Sequence, residues 1–381
     1  MIARISLVAF LYLYGVGTAV YAAVPKPVEE ETLLGLLQQH QYEKLEQLLS
    51  AAQRDYEADA LHSQGLSQGF AAFGHPDATL RSALDDWVER MPRSAHARLA
   101  RSMYFRSLGW KMRGTLYWRK IPPTSHAQMN RLFLQAVRDA HAALDISPKL
   151  MPGYLVLIDI ATVYGERKTM HGLFQDAMRI DPLYYDVRAA YLTALEPKWG
   201  GSQAAMTAYL ADIRPFYKRS PALRQLEVRV WQARGITRFN AKHYREAIDE
   251  LTKAVDIEPN AYDAREFRGL AYQMLERYDQ ARADYEYSAD RDSEPAKYRL
   301  GWLYLYGLGV PRDYSLAARW LGEAADADIA PAKSAYAALL WVGDGVSQDK
   351  VRAKTLWLEA AAQGDVYAKK CLARVNSKEQ G

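Results

Sequence analysis

The chain has 381 residues, of which 49% are hydrophobic, 25% charged and 12% aromatic, with one Cys and a formal net charge of +4. That balance excludes wholesale disorder, which needs low hydrophobicity together with high net charge, and a mean hydropathy of −0.31 excludes a multi-span membrane protein. A lone Cys371 excludes an internal disulfide framework or a Cys-rich zinc site, and the mild, dispersed charge leaves no nucleic-acid footprint.

The N-terminus reads as an address. Met1 and Arg4 give a positive start, Ile5 to Val20 is apolar apart from Ser6, Thr18 and the glycines, and Val20-Tyr21-Ala22 offers a cleavage site. Pro25, Pro27 and the Glu29–Glu31 run then stop any continuing membrane helix. Residues 1–22 are expected to be a cleaved signal peptide, giving a periplasmic or secreted protein; membrane contact is expected only if the leader is retained as an anchor. Its loss lowers the net charge from +4 to +3.

From residue 30 onward every segment reads as helix. Glu31–Ala58, Ala78–Arg90 and Arg131–Leu144 carry apolar residues at three- and four-residue spacing. Pro92, Pro122-Pro123, Pro148, Pro152, Pro182 and Gly200-Gly201 punctuate the helix ends, and Ser202 is placed to cap the helix that follows. The fold class is all-α.

Internal periods sharpen this. Gly235, Tyr244 and Ala247 return 34 residues later as Gly269, Tyr278 and Ala281, with Trp231, Leu251, Ala254 and Pro259 completing the first copy. This pattern resembles the tetratricopeptide repeat, which implies antiparallel helix pairs meeting through small residues over about residues 228–295. Ala136, Ala140, Ala143 and Pro148, then Phe174, Ala177 and Pro182, follow the second-helix pattern earlier, over about 130–183. Toward the C-terminus the period becomes 36: Ala296, Leu303, Gly307, Gly309, Val310, Asp313, Ala317 and Ala324 return as Ala332, Leu339, Gly343, Gly345, Val346, Asp349, Ala353 and Ala360. This resembles the Sel-like repeat, implying two repeats and a terminal capping helix over residues 296–381, with the glycines in the longer loops. Residues 31–225 resemble an uncharacterised bacterial helical domain through Ala95–Ala100, Gly109–Gly114 and Pro197–Ser202. The whole is expected to be an α-solenoid with an irregular N-terminal section.

No catalytic motif emerges. The eight His residues form no HExxH arrangement and none pairs with Cys at metal-ligand spacing, so no metal, no cofactor and no catalytic residue is expected. Gly65-Leu66-Ser67-Gln68-Gly69 has the letters of a nucleophile elbow without the strand that the elbow needs, and reads as a loop. Two surfaces remain. Arg98, Arg106, Trp110, Arg113 and Trp118 form a basic-aromatic candidate for an anionic group. The first helices of the tetratricopeptide-like pairs offer Arg229, Gln232, Ile236, Phe239, Asp263, Glu266, Leu270 and Gln273 as a candidate binding groove. The Lys and Asn residues with which some tetratricopeptide proteins hold a peptide carboxylate are missing there, and Asp263 and Glu266 would repel one. A segment with basic and apolar positions fits better. The expected function is non-catalytic binding of a protein, peptide or envelope component; the alternative is an enzyme in residues 31–225 built around His96, Arg98 and Glu89.

Overall fold

The computed structural model describes residues 29–59, 63–113 and 122–379. The leader, together with Trp118 of the basic-aromatic candidate, lies outside these residues. Among the described residues the regular elements are nineteen α-helices and short 3-10 turns, with no strand. The all-α class expected from sequence is therefore the observed one. The chain divides at Leu226/Glu227 into two compact units.

The N-terminal unit contains α1 (Glu30–Gln38), α2 (Tyr42–Ala58), α3 (Ser63–Ala71), α4 (Leu80–Arg90), α5 (Ala95–Arg113), α6 (Pro123–Ile146), α7 (Pro152–Tyr164), α8 (Arg167–Ile180), α9 (Tyr185–Ala194) and α10 (Gln203–Ile213). Helices α5 and α7 are central. Both are buried around most of their circumference, which is the pattern of a helix enclosed by others rather than one lying on a surface. Small residues make that enclosure possible. A Cβ on Gly109 would penetrate the Phe133 ring, so α5 and α6 approach as closely as only glycine allows. Leu33, Leu37, Leu45, Leu49, Phe70, Phe73 and Trp87 fill the space between α1, α2, α3 and α4. Ser202 caps α10 as expected, its Oγ accepting from the Ala205 N–H at 3.0 Å.

Two local expectations are corrected. Glu31–Ala58 is not one helical run: it breaks at His40, which adopts φ 54° between α1 and α2. Residues 65–69 are not a loop but part of α3; Leu66 and Phe70 are fully buried and anchor that helix, and Ser67 Oγ lies 2.6 Å from the Tyr184 hydroxyl. A Cβ on Gly69 would only reach ordinary contact with Leu49, at 3.4 Å.

The C-terminal unit contains α11 (Arg224–Asn240), α12 (Tyr244–Ile257), α13 (Tyr262–Met274), α14 (Tyr278–Ala289), α15 (Glu294–Tyr306), α16 (Tyr314–Asp326), α17 (Ala330–Val342), α18 (Lys350–Ala362) and α19 (Val366–Glu379). Each helix packs on the next through a short turn, so successive helices run antiparallel and stack as pairs. Helix crossings fall at the repeated glycines. A Cβ on Gly235, Gly269 or Gly301 would collide with Leu251, Tyr285 or Leu321, the facing residue of the second helix in each pair. The turns also repeat. At Lys242, Glu276, Asp292 and Asp328 a non-glycine residue takes positive φ, its N–H bonds the carbonyl three residues back, and the next N–H bonds the carbonyl four residues before the turn residue. This closure satisfies carbonyls that a helix end otherwise leaves free. The 36-residue copies differ by inserting Gly307–Val310 and Gly343–Val346 between paired helices, with φ of 69° and 67° at Gly307 and Gly309 and 90° and 68° at Gly343 and Gly345.

Candidate binding surfaces

In the N-terminal unit the arginines of α5 are paired by acids from three other helices. Arg101 straddles Asp139 of α6 with two hydrogen bonds of 2.8 Å and reaches Asp85 of α4 at 3.0 Å. Hydrogen bonding to Asp139 raises its pKa above the usual guanidinium value against the opposing effect of burial. Arg98 donates to the Pro92 carbonyl at 2.9 Å and stands 4.0 Å from the same Asp139. One turn further on, Arg106 Nε and Trp110 Nε1 both donate to Asp159 Oδ2 of α7, at 2.6 and 2.7 Å. The expected strip is thus divided in two, Arg98 facing Asp139 and Arg106 with Trp110 facing Asp159.

Arg113 is different. Its guanidinium lies 5.0 Å from the Trp110 ring and 5.0 Å from the Trp199 ring, and the two rings meet edge to face at 5.9 Å. Burial pushes the Arg113 pKa below its ordinary value, and Asp159 opposes that shift through charge attraction. Trp199, just before the Gly200-Gly201 break, belongs to this cluster. It ends a short 3-10 turn (Pro197–Trp199), closed by Gly200 at φ 83°. Gly201 follows with no room for a side chain, since a Cβ there would collide with the Leu195 carbonyl.

The candidate residues of the alternative enzyme do not converge. His96 is buried, with Nδ1 2.8 Å from Glu46 Oε2 and Nε2 2.9 Å from Gln53 Oε1, and its ring stacks on Phe70 at 6.0 Å. Both ring nitrogens are thereby engaged in tying α5 to α2. Arg98 turns to the Pro92 carbonyl, and Glu89 is exposed on α4. Among the described residues no group of three or more His, Cys, Asp or Glu side chains could hold a metal ion.

In the C-terminal unit, Gln232 of α11 donates to Asp263 of α13 at 3.1 Å, so two candidate groove residues bridge adjacent pairs. Glu266 is half-buried, and its pKa rises chiefly through burial, with Arg299 opposing the shift and Asp263 adding to it. Phe239 packs between Tyr244 and Phe267, with ring centroids 5.5 Å away in each case. Gln273 accepts from the Tyr285 hydroxyl at 3.2 Å. Arg229, Ile236 and Leu270 are half-buried on the same first helices. Sequence reasoning overlooked a second line of residues. Met274, Tyr306 and Val342, each the last residue of the first helix in its pair, are 55%, 55% and 60% exposed. The spacing that revealed the repeats holds this signal, for the three positions stand five residues after Gly269, Gly301 and Ala337.

Comparison with known families matches residues 295–329 and 330–365 to the Sel1 repeat and residues 30–178 to a domain of unknown function, DUF4034. No curated protein matches the chain. Among solved structures, a Sel1 repeat protein from Oxalobacter formigenes is 29% identical, covering 33% of this chain and 96% of its own, with a TM-score of 0.30. A protective antigen present in uropathogenic Escherichia coli strains, displaying an SLR fold, is 16% identical over 92% of this chain and 88% of its own, with a TM-score of 0.39. The Pseudomonas aeruginosa protein pilF is 17% identical over 73% of this chain and 99% of its own, with a TM-score of 0.34.

Proposed function

We propose that this chain, which carries two Sel1 repeats and an N-terminal DUF4034 domain, is an exported, non-catalytic interaction scaffold whose C-terminal unit docks a protein or peptide segment bearing apolar and basic positions. A stack of helix pairs buries one continuous core and presents equivalent side chains at regular steps, which suits recognition of an extended partner. The observation that carries the reading is the line of Met274, Tyr306 and Val342, three large apolar side chains left exposed at equivalent positions of consecutive pairs. Each sits at a helix C-terminus, where the backbone dipole leaves partial negative charge. Asp263 and Glu266 on α13 add acidic groups. A partner with basic residues flanking apolar ones matches both features. Export rests on the composition of residues 1–22.

A photoreactive amino acid introduced singly at Met274, Tyr306 and Val342, and at exposed Glu89 as a control, tests the docking reading in the cells that make the protein. The same adduct should form from the three positions and not from position 89. Adducts no more frequent than at the control would refute it. Mass measurement of the protein recovered from those cells tests export separately: a chain that still begins at Met1 would overturn the cleaved leader.

A further inference from the structure

Two buried hydrogen-bond donors of the N-terminal unit find no acceptor among the described residues, and they belong to one cluster. Arg113 Nε and Trp199 Nε1 are both shielded from solvent without a hydrogen-bond partner. They belong to side chains in direct contact, since the Arg113 guanidinium lies over the Trp199 ring at 5.0 Å. Buried donors are ordinarily paired, and leaving one unmet costs about 1–3 kcal/mol. Two unmet donors in one cluster call for a shared acceptor.

The local charge says what kind. Arg106 and Arg113 face a single carboxylate, Asp159, whose Oδ2 is already taken by Arg106 and Trp110. Among the described residues Arg113 makes no ion pair, and the attraction of Asp159 is too weak to offset its burial. A third guanidinium is close by: a Cβ on Gly200, the residue after Trp199, would stand 3.0 Å from Arg167 Nη2. The cluster is therefore cationic, partly desolvated and rich in donors.

The construction is also rigid. Trp199 is held by a turn that requires glycine at two consecutive positions, and Trp110 is fixed by its bond to Asp159 and by the Phe133 ring at 6.2 Å. A guanidinium fixed between two indoles spends little conformational entropy on binding, so its N–H groups are pre-aimed.

We propose that Trp110, Arg113 and Trp199 form a binding site for an oxyanion, a carboxylate or phosphate group, which accepts from Arg113 Nε and Trp199 Nε1. The site is independent of the docking line in the C-terminal unit, and its ligand chemistry is that of a small anionic group rather than of a basic-apolar segment.

The test uses the full chain with sodium acetate and inorganic phosphate as separate probes, at ionic strength held constant with sodium chloride. The Trp199 indole N–H resonance, assigned by its loss in Trp199→Phe, should move saturably with one probe, and which probe succeeds tells carboxylate from phosphate. The same probe should raise the thermal midpoint of the wild-type chain. Trp199→Phe keeps an aromatic face while removing the indole N–H; it should weaken binding by roughly fivefold or more, and Arg113→Gln by about tenfold or more, as expected for hydrogen bonds to a charged group. Should Arg113→Gln lose its helical circular dichroism, Trp199→Phe alone decides. A Trp199 indole resonance that moves with neither probe, or a thermal shift equal in wild type and Trp199→Phe, overturns the proposal.

Discussion

Glycine at 345 has two reasons to be glycine, and they can be separated. Its φ of 68° is in the left-handed region, and a Cβ would drive into the Tyr314 carbonyl group and stand 2.5 Å from the Ser315 amide nitrogen. Gly364 has only the first reason: φ is 100° and no atom lies within 4 Å of the added carbon. Placing an L-residue in the left-handed region costs about 1–2 kcal/mol. Reduced freedom of the unfolded chain returns about 0.4–1 kcal/mol of that. Gly364→Ala should therefore lose roughly 0.5–1.5 kcal/mol. Gly345→Ala adds overpacking against backbone that cannot swing aside, ~1–3 kcal/mol, for a total near 2–4 kcal/mol. Urea unfolding followed by far-UV circular dichroism resolves the two, since with a slope of about 2 kcal/mol per molar the larger loss lowers the midpoint by roughly 1–2 M. Equal losses at 345 and 364 would refute the claim that the loop rests against α16. Unchanged curves for both would refute the turn assignment itself.

Asp284 is 2% exposed and receives Arg265 at 3.0 Å and Arg268 through two bonds of 2.8 and 2.6 Å, so Asp284→Ala strands two guanidiniums. It should cost about 3–5 kcal/mol in the same urea assay, and a loss under ~1 kcal/mol would show the arginines relaxing into solvent. His96→Ala should destabilise by about 1–3 kcal/mol by taking the ring nitrogens away from Glu46 Oε2 and Gln53 Oε1; a neutral outcome in thermal melting would mean water replaces the ring. Asp86 is held down to about 2 by hydrogen bonds from Tyr42, Arg90 and His40, in that order. Its folded-state value is below its unfolded one, so its contribution is complete above the ordinary carboxylate range and is lost as pH falls toward 2. Carboxyl carbon NMR should place its midpoint near 2, and Tyr42→Phe should move that midpoint up; no movement would show that the tyrosine bond is not the main cause.

Periodic features of the fold were legible in the amino-acid order. Gly235 and Gly269, and the Gly307/Gly343 and Gly309/Gly345 pairs, recur at fixed steps because a close helix crossing and a left-handed turn each demand glycine wherever they occur. What stayed hidden depends on residues distant along the chain. Arg98, Arg106 and Arg113 look alike on α5, and only folding assigns the first to Asp139, the second to Asp159 and the third to a place between two indole rings. Trp199 is 86 residues beyond Arg113, in a turn whose letters reveal its shape but not what the ring covers. The break at His40 was missed for another reason, for nothing in the leucine stripe marks a non-glycine residue that accepts a left-handed angle.

The glycine loops also bear on how the C-terminal unit comes apart. Gly309 lies against Tyr278 at the start of α14, and Gly345 against Tyr314 at the start of α16, so each loop rests on the pair before it. In a stack whose neighbours touch only helix to helix, end pairs can peel away one at a time. Here a pair cannot open without also lifting its loop from the preceding one, which strengthens the coupling between neighbours relative to the stability within each. Residues 278–362 should then exchange their amide hydrogens as one cooperative block.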